Sequence, residues 1–217
     1  MTYSEENYLK VIYHLSNNSG KGITTNAIAN EMESKPSSVT DMVQKLAEKD
    51  LVIYKKYQGV SLTEKGRFTA LMIVRKHRLW EVFLVDKLDF SWDEVHDVAE
   101  QLEHIKSEKL TNKLDAFLDY PTEDPHGDPI PDKNGKIVKV DKKLLSEISA
   151  GKKVMCVGVK DSSPAFLQYL DKQQIALGSA IEVISREDFD MSLTLRINDN
   201  ELTVSNKIAS NLFVKTV

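Results

Sequence analysis

The chain has 217 residues, 41% hydrophobic and 29% charged, an ordinary balance for a soluble globular protein with one large or two small cored domains. No apolar run approaches the ~20 residues that span a bilayer, the start Met1-Thr2-Tyr3-Ser4-Glu5-Glu6 is acidic where a signal peptide would be basic, and the single Cys156 rules out an internal disulfide and points to a reducing cytoplasm. The net charge of −4 is uneven: residues 1–76 hold 11 Lys and Arg against 8 Asp and Glu, which leaves −7 for the remainder, a basic front on an acidic body.

In chain order, Tyr8, Leu9, Ile12, Tyr13 and Leu15 recur at spacings of three and four, which predicts an amphipathic helix over 4–17. Asn17 to Gly22 supply turn chemistry. A short helix follows from Thr25 to about Met32, and Pro36 suits the first position of a third helix that runs to about Lys49. Two short helices joined by a tight turn form a helix-turn-helix unit. Leu51 to Leu62 then reads as two strands around a turn near Gly59, a wing that carries Lys55 and Lys56.

Thr63 opens a long helix to about Lys87, and Ser91-Trp92-Asp93-Glu94 reads as a capping box for an interrupted helical stretch reaching Leu118. Four of the six prolines fall between Tyr120 and Lys136, which marks an irregular segment. A short linker helix is expected within 141–149. Beyond it, Val154–Val159, Ala180–Ser185, Ser192–Ile197 and Leu202–Val204 read as strands of a small β-barrel, with a helix near Ala165–Leu170.

The histidines cluster. His77, His96, His104 and His126 share one 50-residue window, and only His14 stands apart. His77 and Glu81 are spaced i, i+4; so are His96 and Glu100; Glu100, Glu103 and His104 are i, i+3, i+4. On a helix such residues project from one face a turn apart, as chelation requires. Imidazole and carboxylate without thiolate suit Mn²⁺ or Fe²⁺. Paired Glu and His on helices also occur as solvated or hydrogen-bonded surface pairs, so the spacing alone leaves both readings open.

The residues resemble the diphtheria toxin repressor family of iron- and manganese-responsive regulators across essentially the whole chain. Ser34-Lys35-Pro36-Ser37-Ser38-Val39-Thr40-Asp41-Met42-Val43-Gln44-Lys45-Leu46 is similar to the recognition helix of its manganese branch. Arg75 to Glu81 and Val95 to His104 resemble its two ligand helices, and Pro125-His126-Gly127-Asp128-Pro129-Ile130-Pro131 its following segment. The resemblance implies a mainly α fold with a small β component: a winged helix-turn-helix over 1–74, a helical metal-binding and dimerisation domain over 75–140, and a linker helix with an SH3-like, FeoA-like barrel over 141–217.

It further implies two metal positions per subunit. Asn7, Glu100, Glu103 and His104 would form the primary one, and His77, Glu81 and His96 the ancillary one, with Asp161 or Ser162 as a candidate barrel ligand. Asn7 replaces the family's Met or Asp, Lys10 stands where short manganese regulators carry an acid, and Glu100 stands where iron-type members have Cys. The expected partners are a double-stranded DNA operator and a second copy of the chain, with Mn²⁺ or Fe²⁺ as effector, and no membrane. Ser37, Ser38, Thr40 and Asp41 are expected near base edges and Lys35, Lys45, Lys55 and Lys56 on phosphates. Asp41 either accepts from a cytosine amino group or is a surface acid that tempers non-specific affinity. No nucleophile–base pair, phosphate loop or dinucleotide fingerprint is present, so the expectation is a regulator and not an enzyme. The competing readings are a winged-helix regulator that senses an organic ligand and a di-metal carboxylate enzyme.

Overall fold

In the computed structural model the described residues are 1–17, 22–55, 58–138, 140–198 and 200–216. The chain separates into two compact units. One comprises 1–80, 100–114 and 131–137; the other 81–99, 115–130 and 138–217.

The first unit begins with α1 (Tyr3–Asn17), α2 (Thr25–Glu31) and α3 (Pro36–Glu48). The Thr24 side chain accepts from the Ala27 N–H to cap α2, and Pro36 starts α3 where its missing N–H costs nothing. The periodic residues do what their spacing predicts: Leu9 and Ile12 of α1, Ile28 of α2 and Val39, Val43 and Leu46 of α3 are fully buried in one core. β1 (Val52–Lys55) and β2 (Gly59–Leu62) pair antiparallel as the wing, and Ile23 exchanges both backbone hydrogen bonds with Val60 at its base. α4 (Glu64–Leu88) follows. A Cβ on Gly66 would lie 1.8 Å from the Leu51 carbonyl oxygen, so only glycine lets this helix start so close to the wing.

α4 contributes its first part to one unit and its last part to the other. The stretch beyond it is interrupted: α5 spans Val95–Leu102 and α6 spans Glu108–Phe117. Glu94 accepts from the Ser91 backbone and hydroxyl just before α5, one half of the expected capping box. The break at 103–107 has a local cause, since the Ser107 hydroxyl accepts from Leu110 N–H and thereby starts α6. Glu103 and His104 consequently sit on a turn after α5 and not on the helix itself.

The second unit holds a six-stranded antiparallel sheet in the order β3-β8-β4-β5-β6-β7. Its strands are β3 (Lys143–Leu144), β4 (Lys153–Val159), β5 (Ala180–Arg186), β6 (Leu193–Ile197), β7 (Asn200–Val204) and β8 (Leu212–Thr216), with α7 (Pro164–Lys172) and α8 (Asn206–Ala209) between them. Bulges between Cys156 and Gly158 and between Val183 and Ser185 bend the sheet around a core that includes Val154, Leu167, Leu170, Ile181, Leu195 and Val214. The expected linker helix is absent. Lys143 and Leu144 instead pair with β8, and only a 3₁₀ turn (Leu145–Glu147) follows. Strand pairing satisfies those backbone groups across the sheet, which a helix there would have to satisfy alone.

Candidate metal centre and DNA-contacting helix

In the first unit, α1 sets Glu6, Asn7 and Lys10 about a turn apart, and the end of α5 and the turn after it supply Glu100, Glu103 and His104. Glu103 is completely buried. Its two oxygens lie 2.8 Å from the Lys10 ammonium, and His77 Nδ1 lies 2.7 Å from Oε2. Lys10 also pairs with Glu100. Burial alone would push the Glu103 carboxyl up, but the His77 hydrogen bond and the Lys10 charge overcome it and hold the group below the usual carboxylate range. Ligand atoms of His77, Glu100 and Glu103 all lie within 4.8 Å of one another.

His104 joins this group from the other side. Its Nε2 is 4.0 Å from Glu103, while Nδ1 is 2.7 Å from Glu6 Oε2 and the ring stacks on Tyr3 at 4.4 Å. A carboxylate that accepts from Nδ1–H fixes the tautomer and leaves the Nε2 lone pair available to a cation, the usual arrangement behind a metal-binding histidine. Asn7 lines the same surface cavity as Lys10 and Glu100, and its side-chain oxygen is buried without a hydrogen-bond partner among the described residues. A buried acceptor left unsatisfied costs about 1–3 kcal/mol. An unsatisfied oxygen in the cavity that Glu100 also lines, with Glu103, His77 and His104 in the adjoining cluster, fits a divalent cation of the Mn²⁺ or Fe²⁺ kind, which would take over carboxylates that the Lys10 ammonium now holds.

The second unit carries another group. Glu81, Asp124 and His126 are all buried, with ligand atoms within 4.8 Å of one another. His126 Nδ1 is 3.7 Å from Glu81, and Nε2–H donates to the Trp92 carbonyl at 2.8 Å. Burial would lower the imidazole pKa, but Glu81, Asp124 and the Trp92 carbonyl outweigh it and raise it to about 8. The segment turns back on itself because Asp124 accepts from the N–H groups of His126 and Asp128. Gly127, at φ 79°, lets it press onto β4, since a Cβ there would be 2.1 Å from the Val157 carbonyl oxygen. His96, more than half exposed, reaches Glu81 at 3.6 Å. Asp161 accepts from the Ser163 N–H ahead of α7.

The sequence alone gives His126 no role, and nothing in its local spacing marks Asp124 or Glu6. Asp124 has no periodic partner to announce it; the Pro-His-Gly-Asp-Pro run was the available signal. Glu6 lies 98 residues from the histidine it holds, beyond the reach of any local spacing.

On α3, Lys35, Ser37, Ser38, Asp41 and Lys45 are exposed on the face opposite Val39, Val43 and Leu46, and Lys55 is exposed on the wing. Thr40 is half-buried, and its hydroxyl donates to the Pro36 carbonyl at 2.9 Å, which leaves it only an acceptor for a base edge. Lys56 lies outside the described residues.

A winged helix-turn-helix with a buried carboxylate–imidazole cluster at its back defines a metal-responsive DNA-binding regulator. Residues 1–60 match the family model "Iron dependent repressor, N-terminal DNA binding domain", 63–132 match "Iron dependent repressor, metal binding and dimerisation domain", and 143–216 match the FeoA domain. The chain is 34% identical to a solved "Manganese-dependent transcriptional repressor complex with manganese", with a TM-score of 0.87 over 98% of this chain and 100% of that one. It is 29% identical to the iron-dependent repressor IdeR of Mycobacterium leprae over 96% of this chain and 86% of that protein. It is 34% identical to the HTH-type transcriptional regulator MntR of Oceanobacillus iheyensis over 55% of this chain and 80% of that one. The chain belongs to the iron-dependent repressor family, the diphtheria toxin repressor family of metal-dependent transcriptional regulators.

Proposed function

We propose that this regulator represses metal-homeostasis genes as a cytoplasmic homodimer, with Mn²⁺ or Fe²⁺ as effector and manganese favoured. The observation that carries the reading is the buried Asn7 oxygen, without a hydrogen-bond partner among the described residues, in the cavity that Glu100 also lines. Asn7, Glu100, Glu103 and His104 would hold one cation, whose charge lets these oxygen and nitrogen donors share a centre. The donor set has no thiolate, which favours Mn²⁺ over a softer ion. His77 would either support Glu103, with which it shares a hydrogen bond, or join Glu81 and His96 as an ancillary set; Asp124 and His126 extend the donors around Glu81. Residues 1–74, 75–140 and 141–217 are the proposed DNA-reading, dimerisation and barrel segments.

Asn7 rides on the helix that buttresses α3, whereas Glu100, Glu103 and His104 follow from the dimerisation segment. Joining them fixes the recognition helix relative to that segment and, in a dimer, sets the spacing of two α3 helices near the ~34 Å between successive major-groove faces. Ser37, Ser38, Thr40 and Asp41 would then face bases, with Lys35, Lys45, Lys55 and Lys56 on phosphates.

The test is DNA binding by metal-stripped protein at fixed salt, with Mn²⁺ and anaerobic Fe²⁺ added separately to the upstream region of its own gene. Affinity should rise steeply with one metal, and Glu103→Ala should lose that response while staying folded by circular dichroism. Equal binding with a chelator present would overturn the reading and favour a regulator that responds to an organic ligand.

A further inference from the structure

His126 is held on several sides, and much of the support comes from the barrel. The Val159 N–H at the end of β4 donates to the His126 carbonyl at 2.9 Å, and the Lys142 ammonium, just before β3, donates to the Gly127 carbonyl at 3.0 Å. The imidazole itself is tied to Trp92. Its Nε2–H donates to the Trp92 carbonyl at 2.8 Å, and the two rings stack with centroids 6.3 Å apart and planes 14° from parallel. Trp92 in turn belongs as much to the barrel as to the link between α4 and α5. The indole packs against the barrel core, and its N–H donates to both carboxylate oxygens of Asp171 on α7 at 3.1 Å. At the next position Asp93 accepts from the Gln168 side chain of the same helix at 2.8 Å. All of these residues lie in the second unit.

We infer that Trp92 and Asp171 are positioning residues for His126, through which α7 of the barrel fixes the imidazole within the Glu81, Asp124 and His126 group. The inference rests on the proposed reading of that group as cation donors. The argument turns on which ring nitrogen faces inward, since an imidazole can flip about its outer side-chain bond between two broad orientations. With Nε2–H tied to the Trp92 carbonyl, Nδ1 faces Glu81, whose Oε2 lies 3.7 Å away. Nδ1 is then the nitrogen that would meet a cation, and the hydrogen bond on the other nitrogen sets its orientation. A carbonyl holds a ring only as firmly as its own backbone is held. Residues 89–94 form the link between α4 and α5, and the Asp171 bonds and the packing against the barrel core supply that hold.

The experiment follows exchange of the His126 Nε2–H with water by NMR of the metal-free full chain carrying isotope-labelled histidine, and measures Mn²⁺ binding to the same proteins by calorimetry. Trp92→Phe keeps an apolar ring but removes the indole N–H, and Asp171→Ala removes its acceptor. Each should speed the exchange and weaken the Mn²⁺ binding that His126→Gln abolishes, both by roughly three- to tenfold. That is less than the ~10–100-fold lost with a ligand's own hydrogen-bond partner, because Asp171 stands one bond further from the ligand. The double variant should be no worse than either single one, and Asp171→Asn, which keeps an acceptor oxygen, should stay near the wild type. General loosening of the barrel would instead give losses that add. Wild-type exchange in both single variants, additive losses, or Asp171→Asn as damaging as Asp171→Ala would overturn the inference. Mn²⁺ binding untouched by His126→Gln would remove the cation reading of this group, while the metal-free exchange rates still decide the positioning.

Discussion

Lys10 occupies the position of greatest consequence in the candidate centre. Its ammonium bridges Glu100 and the fully buried Glu103, so the chain carries a tethered cation where two acids would otherwise face each other. Removing one member of a buried ion pair costs about 3–5 kcal/mol because the remaining charge is uncompensated. Lys10→Gln should therefore lower the melting temperature of the metal-free protein, and added Mn²⁺ should restore more of it than it adds to the wild type. A thermal-shift titration checks this. An equal Mn²⁺-induced rise in both proteins would mean that the ammonium and the metal do not share these carboxylates.

His126 makes a second prediction at the same scale. Its folded pKa of about 8 stands above the ordinary 6.5. A group raised on folding contributes stability that is fully present below the unfolded value and is lost as pH climbs through the folded one. The shift corresponds to about 2 kcal/mol. Metal-free protein should thus lose stability between pH 6.5 and 8, and His126→Gln should flatten that decline in urea unfolding followed across the range. An unchanged slope in the variant would assign the pH dependence elsewhere.

At the scale of elements, α3 divides its work cleanly: Val39, Val43 and Leu46 anchor it while Lys35 and Lys45 remain exposed. If Lys45 contacts phosphate, Lys45→Ala should weaken binding by a similar factor on every DNA sequence and reduce the slope of log K against log salt by about 1. A changed preference between operators, with the slope intact, would instead make Lys45 a base reader. This helix was legible in the sequence because a proline start and a 3.6-residue apolar period are local facts. The same holds for α1, the wing and α4. What local pattern did not carry was long-range pairing. β3 and β8 are short and find each other across some 70 residues, so Lys143 and Leu144 gave no sign of being a strand. The site follows the same rule. Glu100, Glu103 and His104 were readable from spacing, whereas Glu6 and Asp124 reach their histidine and carboxylate partners only through tertiary folding, and no periodicity records that.

For the whole molecule, the proposed design makes metal binding and DNA binding two readouts of one equilibrium. Whatever factor Mn²⁺ adds to operator affinity, operator DNA must add to Mn²⁺ affinity at the coupled site. The coupling should run through Asn7, the one proposed ligand carried by the DNA-reading segment; the others lie on or after α4 and α5. Removing its oxygen leaves Glu100, Glu103 and His104 able to bind a cation but takes away the one proposed ligand on α1, whose remaining contacts to them are Lys10 on the two carboxylates and Glu6 on His104. Asn7→Ala should therefore still titrate with Mn²⁺, with weaker affinity, while the gain in Mn²⁺ affinity on adding operator shrinks toward nothing. Metal titrations with and without operator duplex, at one salt concentration, measure both quantities. An Asn7→Ala protein that keeps the wild-type gain would show that the signal bypasses Asn7 and overturn its role as the clamping ligand, leaving Lys10 and Glu6 as the contacts of α1 with the cluster.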